Sequence, residues 1–286
     1  MKKNKIGLVL EGGGMRGIYT AGVLDVFLDR GIAFDGVIGV SAGAIHGASY
    51  LSAQKGRGLR YTEKYCSDPR FMSFRSLLTT GNIVGEDFCY RRIPQELEPY
   101  DFAAFRSCGV PLYAGVTNLL TGEAEYIRIE DMLEQADVLR ASSSLPFVSK
   151  NVFLGDTPYL DGCCADSIPV EGFMDMGYGR CVVVLTKPQG YVCKPQSRFM
   201  TEMYYKKYPA FRKALLERHN TYNRTISRIE ELERQGRVFV IRPSQPTAAG
   251  KIEHDPEKIR QTHALGVSDG ERLADALSLW LESVSE

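Results

Sequence analysis

Apolar residues along the chain fall first into a continuous run, then a helical stripe, then a second run. Ile6-Gly7-Leu8-Val9-Leu10 is short, apolar throughout and followed by glycines, the pattern of a strand buried on both faces. Residues 17–30 repeat with helical spacing: Ile18, Ala21, Leu24 and Leu28 lie near one face, and Val23, Val26 and Phe27 widen it. A stripe that broad suits a helix packed on a sheet, and Gly31 ends it. Residues 34–40 read as a second buried strand running straight into Ser41 and the helix that begins at Ala42. This order is one βαβ unit, whose crossover is right-handed, so the two strands are parallel and their loops leave the same sheet edge.

Farther on the pattern is less even. A loop covers 54–58, and residues 59–107 mix short helical patterns with a Gly81-Asn82 turn; Glu86 and Asp87 read as solvated loop carboxylates. Residues 110–116 form a strong strand, 118–122 a turn, 124–129 its hairpin partner and 130–139 a helix. Ser142-Ser143-Ser144-Leu145-Pro146 reads as capping or pocket-lining sequence. Tyr159 to Gly162 follow a Thr157-Pro158 turn, Pro169 opens a helix, and 180–186 is a buried strand. Beyond 190 the composition becomes basic and aromatic. A helix is expected over 210–234 with Ile226, Ile229 and Leu232 inward, then a strand over 237–241. Two further helices are expected over 255–264 and 269–284, the second burying Leu273, Leu277, Trp280 and Leu281.

Chemistry enters at Gly39-Val40-Ser41-Ala42-Gly43, a G-x-S-x-G sequence at a strand-to-helix turn. A serine on such an elbow projects its hydroxyl above the sheet, and the tight backbone needs small neighbours on either side. The new helix points its positive end at the site. The second element is Glu11-Gly12-Gly13-Gly14-Met15-Arg16-Gly17. Its glycines can serve a dinucleotide loop, or leave backbone N–H groups free to converge on an oxyanion. No acidic residue closes a second strand where a dinucleotide site needs one; the serine elbow stands there instead.

These two motifs, in this order and spacing, resemble the patatin-like phospholipase family, and Asp161-Gly162-Cys163 resembles its Asp-Gly-Gly/Ala motif, with Cys163 a departure at the third position. The resemblance covers residues 6–190. It implies a Ser41–Asp161 dyad, with Ser41 as nucleophile and Asp161 as proton acceptor. The oxyanion hole falls on Gly12, Gly13, Gly14 and Met15, supported by Arg16, Gly17, Gly39, Gly43 and Gly162. On its own, Asp161-Gly162 reads as a turn aspartate. The implied fold is three-layer α/β/α with a central, mostly parallel sheet over 6–190, and a mainly helical C-terminal extension over 191–286. The implied activity is hydrolysis of lipid carboxylic esters, with no metal and no cofactor.

Composition narrows the partners. Charges balance at 35 basic and 35 acidic residues, so no global field favours nucleic acid. No apolar run reaches the ~20 residues of a membrane span, and the run after the basic start is too short for a signal peptide. Seven cysteines, an odd number without metal-ligand spacing, fit reduced thiols in the cytoplasm. The alternatives are a Ser-His-Asp esterase and a non-catalytic lipid- or nucleotide-binding module. Of the four histidines, His46 lies roughly 140° around the helix from Ser41, and His219, His254 and His263 read as surface residues. Residues 198–213 alternate bulky apolar and cationic side chains. Phe199, Met200, Met203, Tyr204 and Phe211 could enter a membrane beside Lys206, Lys207, Arg212 and Lys213, or pack on the core. The sequence leaves oligomeric state open.

Overall fold

Alternation within the buried strands sorts the core into two faces. The computed structural model describes residues 5–285; Met1 to Asn4, the basic start of the chain, lie outside the described residues. β1 (Ile6–Leu10), α1 (Ile18–Asp29), β2 (Gly36–Val40) and α2 (Ala42–Leu51) make the first unit. A helical insert follows, α3 (Arg57–Tyr65), α4 (Phe74–Thr80), a π-helical stretch (Phe88–Leu97) and α5 (Phe102–Ser107). Then come β3 (Leu112–Asn118), β4 (Ala124–Ile129), α6 (Ala136–Ser142), β5 (Val152–Leu154), β6 (Thr157–Asp161), α7 (Val170–Asp175) and β7 (Arg180–Val184). The chain ends with α8 (Arg198–Tyr204), α9 (Pro209–Arg234), β8 (Val238–Ile241) and α10 (Pro256–Ser285).

The eight strands form one mixed sheet. Its centre is parallel, β3-β2-β1-β7-β8, and β4, β5 and β6 pair antiparallel. Leu8, Leu10, Val37, Leu112, Val182 and Val184 pack with α1, α2 and Leu277 of α10 on one face. Val9, Ile38, Cys181, Val183 and Val240 pack with α7 and α9 on the other. Three layers result, with the C-terminal segment supplying β8 and a helix to each outer layer. No helix among the described residues is long and apolar enough to cross a membrane.

One detail of register positions the site. β4 runs along one edge of β3 from Leu112 to Thr117. On the opposite edge β2 accompanies β3 only as far as Gly115, which faces Val40; from Val116 onward that same edge belongs to β6, with Asp161 facing Val116. The ends of β2 and β6 therefore meet at consecutive residues of β3.

Several elements depart from expectation. The helix expected over 130–139 begins only at Ala136. The Asp131 carboxylate accepts N–H bonds from Leu133 and Glu134, and the Gln135 side chain accepts those of Glu130 and Asp131, which holds the first turn open. Thr157-Pro158 lies inside β6; the turn comes two residues earlier, at Gly155 with φ 61°. Phe211 is wholly buried and can enter no membrane, whereas Phe199, Met200, Met203 and Tyr204 are exposed. The two C-terminal helices are one continuous α10. Gly266, in the gap between the two expected helices, is a point of close approach to α1, since a Cβ there would strike the Tyr19 carbonyl.

That crossing yields a prediction. Gly266→Val should destabilise the protein by ~1–3 kcal/mol or more through overpacking against backbone. Gly270→Ala, whose Cβ would press on the Val26 side chain at 3.2 Å, should cost less. Thermal denaturation of both variants checks the order.

Candidate active site

Ser41 joins β2 to α2 at φ 55° and ψ −124°, a left-handed conformation that costs a residue with a β-carbon ~1–3 kcal/mol. Its flanking glycines relieve the crowding this turn creates: a Cβ on Gly39 would lie 2.5 Å from Ala44 N, and one on Gly43 2.5 Å from Leu10 O. The elbow is also pinned. Ser41 N donates to Ser142 Oγ at 2.8 Å, and Ser142 Oγ donates to Gly115 O at 2.7 Å. Ser142, set down from sequence as a cap or lining residue, thus ties the turn to the point on β3 where β2 stops. Its only signal in the sequence was the small-residue run before Pro146.

Asp161 ends β6 fully buried. Its N–H donates to Ser144 O at 2.9 Å, and its carbonyl accepts from Thr117 Oγ1 at 2.9 Å. Oδ1 accepts the Cys163 N–H at 2.8 Å, while Oδ2 has no hydrogen-bond partner among the described residues. Burial pushes this carboxyl well above the usual carboxylate range and the Cys163 side chain adds to the shift; the Cys163 N–H and the nearby Ser41 hydroxyl oppose it. The Ser41 hydroxyl is close enough to be felt but makes no well-formed hydrogen bond to Oδ2, an arrangement common in unliganded sites. Gly162 lies so close to the Gly115 carbonyl that a Cβ would collide with it.

The glycine loop comes to the same place. Gly12 N donates to Ser167 O at 3.4 Å and Met15 N to Lys251 O at 3.1 Å, so those two N–H groups are occupied. Those of Gly13 and Gly14 have no partner among the described residues. Gly14 takes φ 59°, and a Cβ on it would meet Lys251 O. Gly12 lies against Val40 and Ser41, and Gly17 against Ala42. Arg16 is half-buried, with its Nε unpartnered among the described residues. Glu11, to which no motif assigns a role, is wholly buried. Its Oε1 accepts from Lys187 Nζ at 2.6 Å and Tyr222 OH at 3.0 Å, and Oε2 from Thr186 N at 2.5 Å. Burial alone would raise its pKa; Lys187 and these hydrogen bonds hold it below the ordinary value. A charged residue ending a buried strand was the available clue.

A cavity of ≈ 170 Å³ opens beside Ser41, lined by Ile45, Phe71, Ile93, Phe102 and Leu145 among others. In volume it is comparable to the ~150 Å³ cavities that take small apolar guests, and its wall is mostly apolar. Most of its roof comes from the helical insert that the sequence left unassigned. His46 lines it too, and burial, with His263 and Arg57 adding to the effect and Asp25 opposing, pushes its pKa down to about 4. None of the four histidines hydrogen-bonds Ser41 or Asp161: His263 meets Asp25 at 2.9 Å, His254 the Cys66 carbonyl and His219 the Leu216 carbonyl. His263 is half-buried at that contact, not a free surface residue. Glu86 is tied to Arg140 and Asn82, apart from Ser41. Among the described residues no cluster of His, Cys, Asp or Glu is placed to hold a metal ion.

The family model described as patatin-like phospholipase matches residues 8–174, which include both glycine motifs and Asp161. A second, a domain of unknown function (DUF6363), matches residues 208–282. The chain is 29% identical over 272 residues to the uncharacterized protein YjjU of Escherichia coli (strain K12), covering 92% of this chain and 75% of that one. It is 27% identical over 177 residues to lysophospholipase nte1 of Aspergillus niger, covering 60% of this chain and 11% of the fungal protein. Among solved structures, VipD from Legionella pneumophila aligns at 14% identity and a TM-score of 0.47, over 96% of this chain and 67% of that one.

Two outcomes are expected from the geometry. Ser142→Ala leaves the Ser41 N–H and Gly115 carbonyl without their buried partner, and should lower stability by ~1–3 kcal/mol in denaturant unfolding. Asp161→Asn should raise stability by an amount that grows with pH. A carboxyl whose folded pKa is raised loses stability as pH climbs above its unfolded value of about 3.8, and asparagine has no proton to lose. Melting temperatures of both proteins across pH check this; a pH-independent difference contradicts it.

Proposed function

The chain belongs to the patatin-like phospholipase family, and from that premise we propose that it is a serine acyl hydrolase cleaving carboxylic ester bonds of lipids. The observation that carries the reading is the convergence, at one fork in the sheet, of the Ser41 elbow, a buried carboxylate oxygen without a partner and two unoccupied glycine N–H groups.

In this reading Asp161 takes the Ser41 proton as the hydroxyl oxygen attacks the ester carbonyl. An unperturbed aspartate is a weak base, and the raised pKa of Asp161 brings it closer to the working range. The N–H groups of Gly13 and Gly14 hold the resulting oxyanion, each donor contributing ~2.7–4 kcal/mol in comparable sites. Gly12 and Met15 shape the loop, with their own N–H groups engaged elsewhere. As the intermediate collapses, Asp161 returns the proton to the departing alcohol and an acyl-serine remains. Water then attacks this ester while Asp161 accepts its proton, and the proton passes back to Ser41 as the fatty acid leaves. The apolar cavity beside Ser41 suits the acyl chain. No metal or cofactor takes part in this scheme. A lipid substrate entails contact with a lipid phase, and the odd cysteine count favours a reducing compartment such as the cytoplasm.

The test is hydrolysis of a chromogenic acyl ester by purified, folded variants. Ser41→Ala and Asp161→Asn should each lower kcat about 10³-fold or more. His46→Asn, His219→Asn, His254→Asn and His263→Asn should each stay within about tenfold of the parent, since none supplies the base. Near-parental turnover by Ser41→Ala refutes the nucleophile. One histidine variant as inactive as Ser41→Ala would replace the dyad by a triad.

A further inference from the structure

Two helices far apart in sequence expose apolar side chains on either side of one short segment. On α4, Phe74 is 71% and Leu78 87% exposed; on α8, Phe199 is 75% and Met203 47% exposed. Each pair is spaced four residues apart and so shares one side of its helix. Residues 145–151 are stitched to both. Toward α4, Ile83 N donates to Val148 O at 2.8 Å and Lys150 N to Asn82 Oδ1 at 2.7 Å. Toward α8, Phe147 N donates to Tyr205 OH at 2.9 Å, and its ring meets that of Tyr204 edge-on at 5.6 Å. Phe147 itself is held at φ 69°, an unfavourable conformation for a bulky residue, so this segment's shape is imposed by its neighbours.

Charge selects the partner. Residues 73–85, 145–151 and 197–208 together carry Arg75, Lys150, Arg198, Lys206 and Lys207 against a single carboxylate, Glu202. That is a net +4 in a chain whose formal charge is zero. Arg198 is paired with Glu202 at 2.8 Å; Arg75, Lys150, Lys206 and Lys207 form no ion pair among the described residues. The segment between the helices also leads inward: Leu145 lines the cavity beside Ser41, and Ser144 O holds the Asp161 N–H.

The geometry points to a docking face for an anionic lipid bilayer, formed jointly by α4, α8 and the 145–151 segment between them. Phe74, Leu78, Phe199 and Met203 enter the boundary of head groups and acyl chains, and the unpaired cations sit at the level of the phosphates. Tyr205 and Phe211, by contrast, belong to the core and fix α8 in place. The purpose of the face, presenting ester lipid to the cavity, rests on the hydrolase reading above. Adsorption itself requires no turnover.

Co-sedimentation with phosphatidylcholine vesicles, with and without phosphatidylglycerol, tests this in a Ser41→Ala background that leaves the lipid intact. The protein should sediment with the anionic vesicles, far less with the neutral ones, and be released by added salt. Three double variants, Lys206→Glu with Lys207→Glu, Phe74→Ser with Leu78→Ser, and Phe199→Ser with Met203→Ser, should each weaken partitioning about tenfold or more. All three alter exposed positions, so their melting temperatures should match the parent's. No sedimentation with anionic vesicles overturns the proposal. So does an α4 pair without effect, or a dimer in solution that the α8 pair dissociates. Because binding is read without catalysis, loss of the dyad assignment would leave these outcomes standing, and failure here would leave the dyad untouched.

Discussion

The proposed chemistry of this protein depends on β3 outrunning β2 by three residues. β2 stops opposite Gly115, and Val116, Thr117 and Asn118 are paired on that edge by β6 instead. A parallel strand and an antiparallel strand therefore end against each other on one edge, one delivering Ser41 and the other Asp161. Backbone at such a junction cannot complete its ladder, and a buried unpaired amide or carbonyl is costly. Ser142 fills the gap, accepting from Ser41 N and donating to Gly115 O. The glycines crowd the same point because bare backbone is all that fits there.

Two buried carboxylates within this small region are treated in opposite ways. Glu11 is saturated by Lys187, Tyr222 and the Thr186 N–H and stays ionised, a brace that locks the start of the glycine loop to the end of β7. Asp161 keeps one oxygen unpartnered and its pKa raised. Saturation makes a fixed structural charge, and its absence leaves a carboxylate that can exchange a proton. The raised pKa is a local cost in stability that the surrounding three-layer core offsets.

The C-terminal segment is part of this scaffold. From α9, Tyr222 reaches Glu11, and Arg218 Nε donates to Cys163 O at 2.6 Å just beyond Asp161. Lys251 O takes the Met15 N–H, while those of Gly13 and Gly14 stay open among the described residues. Residues matched by two different family models thus meet around one site. The insert between α2 and β3 closes the other side, where its helices roof the cavity and α4 carries its exposed pair outward.

What the sequence determined by itself was local. Continuous apolar runs gave β1, β2, β3 and β7. The glycine spacing marked both turns of the site, since tight backbone needs small residues wherever it occurs. The βαβ order placed Ser41 and the glycine loop on one sheet edge. As the proposed proton acceptor, Asp161 is suggested only by family resemblance, because a turn aspartate and a base have the same neighbours in sequence. Tertiary structure decided the rest. The continuity of α10 through Gly266, the roles of Ser142, Glu11 and Arg218, the burial of Phe211 and the exposure of Phe199 all depend on residues distant in sequence. The physical reason is that strand register, close helix approach and the satisfaction of buried polar groups are settled by partners far along the chain, and periodicity within a short window carries no trace of them.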